Sequence, residues 1–375
     1  MEGFLMERQR GSSFDTMLLA VIILLAGSGM AMLFSASYPD AVNSGKPFTY
    51  FVSRQALMFC MGSLIAIIVA YMPLDWFKNW NKIFLLAVVI INFLPPLYGD
   101  VNGASRWIRI GALSLQPSEF YKVVLVLYFA SDFARIEEGK KKNSYSTSIF
   151  LMGVAFLQIL GCQSDFSTAG FIVGLCGAML LVSKMKIKHL FALVVIGVIL
   201  LLLVLWLEPY RLERLRSHTS GNTDLEGSSY QITQAREALR AGGIFGRGIG
   251  SGSYKMGTLP EAKSDFIFAI VGEELGFAGV LIIILLFAFL AFKGYCIAWN
   301  ATDKYKSYVA FGFTTCILFQ MLVNIAVVAE LVPTTGITMP FFSQGGTSML
   351  VTMIMCGFLL NVSRGSDRGD YYEQY

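Results

Sequence analysis

Apolar residues run through this chain in stretches too long for a soluble core, separated by short polar breaks. Stretches of spanning length fall at roughly 14–36, 52–72, 81–99, 118–134, 147–162, 167–183, 189–207, 264–292, 307–331 and 347–362. About 20 apolar residues are needed for a helix to cross the hydrocarbon of a bilayer. A helix is favoured there because it satisfies its own backbone polar groups. The pattern predicts an all-α polytopic membrane protein of about ten transmembrane helices, forming one integral-membrane domain over residues 1–375. The fifth and sixth stretches are split only by Gln163-Ser164-Asp165. The run from Met17 is too long for a cleaved signal peptide and reads as the first span.

The polar breaks set an expected orientation. With the N-terminus inside, the short inner loops carry Lys78 and Lys82, then Arg135 with Lys140 to Lys142, then Lys184, Lys186 and Lys188, then Lys293, Lys304 and Lys306. The short outer loops carry few cations: Lys46 and Arg54 near one, Arg106 and Arg109 in another. This asymmetry follows the positive-inside rule. An even number of spans returns the C-terminus to the cytoplasm, with 364–375 as a short tail. One connection, residues 208–263 between helices 7 and 8, is long and polar and is placed outside. A connection of that length is functional or disordered. Within it, Ile232–Ala241 reads as a short helix, followed by a glycine-rich stretch from Gly242 to Gly252. That stretch is neither a Walker A loop nor a dinucleotide fingerprint. It reads either as a flexible loop or as a backbone cradle for phosphate.

Composition supports the membrane assignment. The chain is 55% hydrophobic and 14% charged, whereas soluble domains carry roughly a quarter charged residues. The net charge of +4 sits in loops, and no basic, aromatic-interleaved stripe supports nucleic-acid binding. The six cysteines lie in or beside apolar runs without a CxxC pair, and read as packed free thiols. His189 and His218 are too few and too far apart for a histidine metal site.

Ionisable groups inside apolar runs carry the functional signal, because a charge at bilayer depth costs a few kcal/mol or more. Asp265 stands at the outer mouth of the eighth span, where a helix-terminal acid capped by Ser264 is the bland reading. Glu273 and Glu274 lie about 12 Å deeper and are expected to be buried. Glu119 and Lys122 are three apart on one helix face and can pair, with Ser118 as the expected cap. Gln320 and Asn324 are four apart in the ninth span and suit interhelical hydrogen bonds. Arg106 and Trp107 read either as interface anchors or, for Arg106, as a phosphate ligand. Residues 333–348 hold two prolines and three glycines and predict broken backbone, tolerated at membrane depth where it is buried in protein or lines a cavity.

Taken together, these segments resemble the SEDS family (shape, elongation, division and sporulation; the RodA, FtsW and SpoVE proteins). The resemblance rests on Asn102-Gly103-Ala104-Ser105-Arg106-Trp107, on Gln116-Pro117-Ser118-Glu119-Phe120 with Lys122, and on Tyr230-Gln231 before the glycine-rich stretch. It continues through Pro260-Glu261-Ala262-Lys263-Ser264-Asp265-Phe266 with Gly272-Glu273-Glu274-Leu275-Gly276. It ends on Gly336-Ile337 and Pro340-Phe341 to Ser343 and Gly345-Gly346-Thr347-Ser348. The Glu-Glu-Leu-Gly-Phe segment is more similar to the FtsW and SpoVE type.

The resemblance implies a peptidoglycan glycosyltransferase of the bacterial cytoplasmic membrane. It would polymerise lipid II at the outer face, with inversion and undecaprenyl diphosphate as leaving group, for division, elongation or sporulation. It places the catalytic aspartate on Asp265 as general base. It makes Arg106, Trp107, Glu119, Lys122, Lys263 and Ser343 candidates for substrate or diphosphate contact, with Arg247 a further cation. Glu273, Glu274, Gln320 and Asn324 are structural intramembrane polar groups. It also implies a class B penicillin-binding protein as transpeptidase partner, and leaves a divalent cation (Mg or Mn) open. The chain departs from the family at Gln163-Ser164-Asp165-Phe166-Ser167-Thr168-Ala169, where Gln-Pro-Asp-Leu-Gly-Thr-Ala is common, and at Lys263-Ser264, where His-Thr is common. A lipid II flippase is the alternative, and a scaffold activating a partner is a third reading.

Overall fold

The computed structural model describes residues 14–99, 105–110, 113–141, 144–189 and 228–364, with isolated backbone positions at 191, 195 and 197. Helices α1 (Thr16–Asn43), α2 (Tyr50–Tyr71) and α3 (Leu74–Ile91) come first. A 3-10 turn at Pro95–Tyr98 leads to a two-stranded antiparallel hairpin, β1 (Ile108–Ile110) and β2 (Leu113–Leu115), in which Arg109 pairs with Ser114. Then come α4 (Ser118–Glu137), α5 (Ser146–Gln163), α6 (Phe166–Val182), α7 (Ser228–Gly242), α8 (Ile267–Trp299), α9 (Lys304–Val328) and α10 (Gly346–Arg364).

Seven of these are long and apolar enough to cross a membrane: α1, α2, α3, α5, α8, α9 and α10. The chain is thus a multi-pass membrane protein. Helix α6 is apolar but shorter, and α4 carries several charges. The predicted span 189–207, the stretch 208–227 and the tail from 365 lie outside the described residues.

The bundle is arranged for a lipid solvent. Leu57, Leu64 and Ile68 of α2 share a stripe with Met61 and face outward, because lipid tails solvate leucine as well as a core does. Helix α4 is enclosed on all sides from Tyr121 to Ala134, as expected of a helix lacking one polar face. Small residues set the closest crossings. A Cβ on Gly357 would stand 2.6 Å from Ala66 O, and one on Gly62 would stand 2.9 Å from Met353 Cβ, so α2 and α10 meet nearly backbone to backbone.

Several boundaries differ from the hydropathy pattern. Helix α1 continues through Pro39 to Asn43, two turns past the apolar run, and carries Asp40 toward the 263–266 segment. Helix α3 begins at Leu74, because Phe77, Asn81, Leu85 and Val88 already form a buried stripe beneath polar neighbours. Helix α8 begins three residues later than the run and is broken at Gly276, with φ 67° and ψ −170°.

Candidate active site

Asp265 does not begin a helix. The segment 260–266 is a series of turns, and α8 starts at Ile267 with Phe266 flanking it. The expected cap is also absent: Ser264 Oγ donates to Glu261 Oε2 at 2.6 Å. Neighbouring elements hold the segment instead. The Asn324 amide donates to Asp265 O and to Ile337 O, both at 2.9 Å. Ser343 Oγ donates to Ser264 O at 2.5 Å, and Gln344 N donates to Lys263 O at 2.8 Å. The Lys263 ammonium pairs with Asp40 and lies 4.3 Å from the Phe51 ring centroid. The half-buried Asp265 carboxylate faces Gly336, where a Cβ would stand 3.5 Å from Oδ2.

The facing wall is the 333–345 segment, and it is broken as its prolines require. Its tip is driven into the bundle: Phe341 and Phe342 are buried, and a Cβ on Gly29 of α1 would stand 2.3 Å from Phe341 O. Gln55 of α2 brackets the segment by donating to Ser343 O at 3.1 Å and accepting from Gly345 N at 3.2 Å. Beside it a cavity of ≈ 80 Å³ is lined by Arg54, Gln55, Ser114 and Gln344. Glu261, Glu330, Phe341 and Ser164 are the non-glycine residues with positive φ among the described residues. Phe341 lies within this wall, and Glu261 lies on the turn segment that faces it. Such backbone persists where surrounding structure fixes it, often at sites of function.

A buried polar network lies behind the wall. Lys122 Nζ stands 2.7 Å from Glu119 Oε1, donates to Gln320 Oε1 at 3.1 Å and lies 5.0 Å from the Phe171 ring centroid. Gln320 Nε2 donates to Thr338 O at 2.9 Å and to Ser348 Oγ at 3.2 Å. The expected i,i+3 pair and the shared α9 face thus form one chain of contacts from α4 to the broken segment. Ser118 does not cap α4: Pro117 is the flanking residue, and the Ser118 hydroxyl is buried without a hydrogen-bond partner. Glu119 Oε2, Asn324 Oδ1 and Gln344 Oε1 are likewise buried without one. Buried polar atoms are normally paired, so these three are groups that a substrate or water would satisfy.

Arg106 belongs to a neighbouring cluster. Its Nε stands 3.4 Å from Asp165 Oδ2, and Nη2 donates to Ser164 O at 3.5 Å. Asp165 also caps α6 by accepting from Thr168 N at 3.1 Å. Gln116 N donates to Thr347 Oγ1 at 3.0 Å, which ties this cluster to the start of α10. Trp107 is half-buried at the entry to β1. A third of the Arg106 side chain stays exposed, so its remaining donors can meet an anion.

The glycine-rich stretch is neither a loose loop nor a phosphate cradle. Donors from the stretch and from residues 253–255 just after it are taken up by Glu273 and Glu274, which are 0% and 1% exposed. Ser253 N and Tyr254 N donate to Glu273, and Gly250 N donates to Glu274 at 3.0 Å. Lys255 Nζ stands 2.5 Å from Glu274 Oε1, and Arg247 Nη1 stands 3.4 Å from Glu273 Oε1. The stretch also splices the break in α8. Arg247 N and Gly248 N donate to Glu273 O and Glu274 O, while Phe277 N and Ala278 N donate to Gly243 O and Ile244 O. The four backbone groups freed by the kink at Gly276 are thereby satisfied.

The structure therefore joins Asp265, Lys263, Ser343, Asn324, Gln320, Lys122 and Glu119 through direct contacts around one wall. Arg106 and Trp107 stand beside it, and Glu273 and Glu274 form a separate buried support. Asp40, Gln55, Lys255, Thr338 and Ser348 also take part. Asp40 lies just past the first apolar run, and Thr338 and Ser348 fall in the broken 333–348 segment. Gln55 and Lys255 act through distant partners that nothing local in the sequence records.

The family model for cell cycle proteins, FtsW/RodA/SpoVE, matches residues 15–368. The chain is 35% identical over 358 residues to a probable peptidoglycan glycosyltransferase FtsW of Borreliella burgdorferi, covering 94% of this chain and 97% of that protein. It is 36% identical over 364 residues to stage V sporulation protein E of Bacillus subtilis, covering 95% and 98%. A chain of a peptidoglycan synthase complex, described for its coordination of polymerization and crosslinking, has the same fold with a TM-score of 0.77 at 23% identity, covering 95% of this chain and 99% of that one. The rod shape determining protein RodA of Thermus thermophilus gives 0.67 at 23%, covering 94% and 97%. With the family model matched over nearly its whole length and relatives above 30% identity end to end, the chain belongs to the FtsW/RodA/SpoVE family of cell cycle proteins.

Proposed function

We propose that this chain is a peptidoglycan glycosyltransferase that polymerises lipid II into glycan strands at the outer face of the cytoplasmic membrane. The observation that carries this reading is Asp265: a half-buried carboxylate on a turn segment held from three sides, facing a broken wall with unsatisfied polar groups behind it. Asp265 accepts the proton of the acceptor sugar's 4-hydroxyl as that oxygen attacks the anomeric carbon of the lipid-linked donor. The bond to the diphosphate breaks, undecaprenyl diphosphate leaves, and the anomeric configuration inverts. Arg106 offers a guanidinium for the charge that develops on the diphosphate. Lys122 and Lys263 serve the wall more directly than the leaving group, since each is engaged by a carboxylate. For Mg or Mn, no three His, Cys, Asp or Glu side chains converge among the described residues. One carboxylate with substrate phosphates is the donor set that suits such an ion here.

The distribution of buried charge favours polymerisation over flipping. On α4, the nine residues between Lys122 and Asp132 include no Asp, Glu, Lys, Arg or His, a gap of about 15 Å. A flippase needs polar groups along the path of its cargo. The fold neighbour works in a complex that couples polymerization to crosslinking, which supports a class B penicillin-binding protein as partner here.

The test is polymerisation of lipid II by the purified protein in detergent, alone and with its partner. Asp265→Ala and Asp265→Asn should yield no polymer while eluting as folded protein. Normal polymer from both variants would refute the assignment. Transfer of lipid II across vesicles without polymer would establish the flippase instead.

A further inference from the structure

A second site lies at the far end of the bundle. Helix α4 rises about 30 Å over its length, so Glu137 stands one bilayer thickness away from Glu119 and the Asp265 wall. Between the ends of α4, α6 and α8 and the start of α9 is a cavity of ≈ 620 Å³. Its floor is Glu137, whose side chain is 6% exposed. Tyr308 OH donates to Glu137 Oε1 at 2.5 Å. Lys184 and Lys304 stand 3.3 and 3.7 Å from Glu137 Oε2. One carboxylate thus gathers two ammonium groups, and both lysine side chains remain mostly exposed, at 67% and 61%. The rim carries a surplus positive charge. Asp303, the acid next to Lys304, is engaged by Lys306 and caps α9.

The walls have a different character. Tyr295, Trp299 and Phe311 line the cavity, and the Trp299 indole is 89% exposed. An indole at helix-end depth is typical of a membrane interface. A free anion would use the lysine rim and leave this wall idle. A lipid uses both, with phosphate on the ammonium groups and glycerol and upper acyl chain along the aromatic wall.

We propose that this cavity binds the headgroup of an anionic phospholipid, with Lys184 and Lys304 as its phosphate ligands. The proposal rests only on the chain crossing a bilayer, and no group assigned to the polymerisation reaction touches the cavity. It makes this end of the bundle sensitive to the lipid charge of its leaflet.

The test places the protein in bilayer nanodiscs and uses tryptophan quenching by brominated lipids. The chain has five tryptophans, so the difference between the unaltered protein and Trp299→Phe isolates the signal at the cavity. Brominated phosphatidylglycerol should quench that signal at roughly one-thirtieth the mole fraction needed for brominated phosphatidylcholine, given two lysines at the rim. The K184Q/K304Q variant should lose the preference, and high salt should erase it in the unaltered protein, which covers a variant that fails to fold. Equal quenching by the two lipids would overturn the proposal. Loss of the preference on adding inorganic phosphate, but not on adding chloride at the same low ionic strength, would also overturn it, because the rim would then be a free-anion site.

Discussion

Asn324 holds the backbone of Asp265 with the same amide that holds Ile337, each carbonyl 2.9 Å from Nδ2. The carboxylate-bearing turn and the wall it faces are therefore fixed relative to one another by one side chain that is 1% exposed. Replacing Asn324 with leucine removes both hydrogen bonds while keeping the branched shape of the side chain. A shift of about 1 Å between base and acceptor costs on the order of a hundredfold in rate. Asn324→Leu should lower the turnover of lipid II polymerisation by roughly that factor, with less change in the concentration needed for half-saturation. Turnover equal to the unaltered protein would show that the turn is set by other contacts.

The Lys255–Glu274 pair joins the glycine-rich stretch to α8 with both side chains essentially enclosed. Removing one member leaves a charge with no water to solvate it, at a cost of about 3–5 kcal/mol. Lys255→Met should therefore lower the thermal midpoint of the detergent-solubilised protein sharply. The double change K255M/E274Q keeps an acceptor for Gly250 N and Ser35 Oγ and removes both charges, so it should recover most of the loss. A double variant no more stable than Lys255→Met would show that the ion pair itself carries the stability.

Gly276 and Gly250 both have positive φ, 67° and 86°, but differ in surroundings. A Cβ on Gly276 would stand 2.2 Å from Gly246 N, whereas one on Gly250 meets nothing within 4 Å. Gly250→Ala costs about 1–2 kcal/mol of backbone strain. Gly276→Ala adds a clash with backbone that cannot move without undoing the splice of α8. Size-exclusion profiles of fluorescent fusions should show Gly250→Ala as a folded peak and Gly276→Ala as aggregate. A folded peak for Gly276→Ala would mean that α8 can run straight.

Period and charge made much of this legible in advance. The apolar runs gave the helices, because crossing a bilayer demands length and composition that loops lack. Glu273 and Glu274 were readable as buried because an acid inside such a run has few other places to go. The partners of those acids were not readable. Gly250, Ser253 and Lys255 find them by folding back some 20 residues, and nothing local records that return. The same holds at Asp265. Its position near the mouth of α8 follows from spacing, but Ser264 forgoes the capping role because Glu261 adopts φ 54° and offers its carboxylate. The glycine-rich stretch shows the ambiguity most clearly, since glycines that admit a phosphate equally admit a second backbone.

Ser164 tests how far this chain has moved from its family. It closes α5 with φ 52°, leaving one residue before α6 begins, and its carbonyl accepts from Arg106. Proline, common in the family at this place, is locked near φ −65° and cannot adopt that conformation. Glycine adopts it without the Cβ conflict. Ser164→Gly should raise stability by up to about 1 kcal/mol through relief of that conflict. Ser164→Pro should lower it, because the connection must reshape and carry Asp165 away from Thr168 N and Arg106. Thermal unfolding in detergent reads the first effect, and polymerisation rate reads the second, since Arg106 loses its anchor. If Ser164→Pro is as stable and as active as the unaltered protein, the left-handed turn is not required, and the family's proline geometry serves this chain equally well.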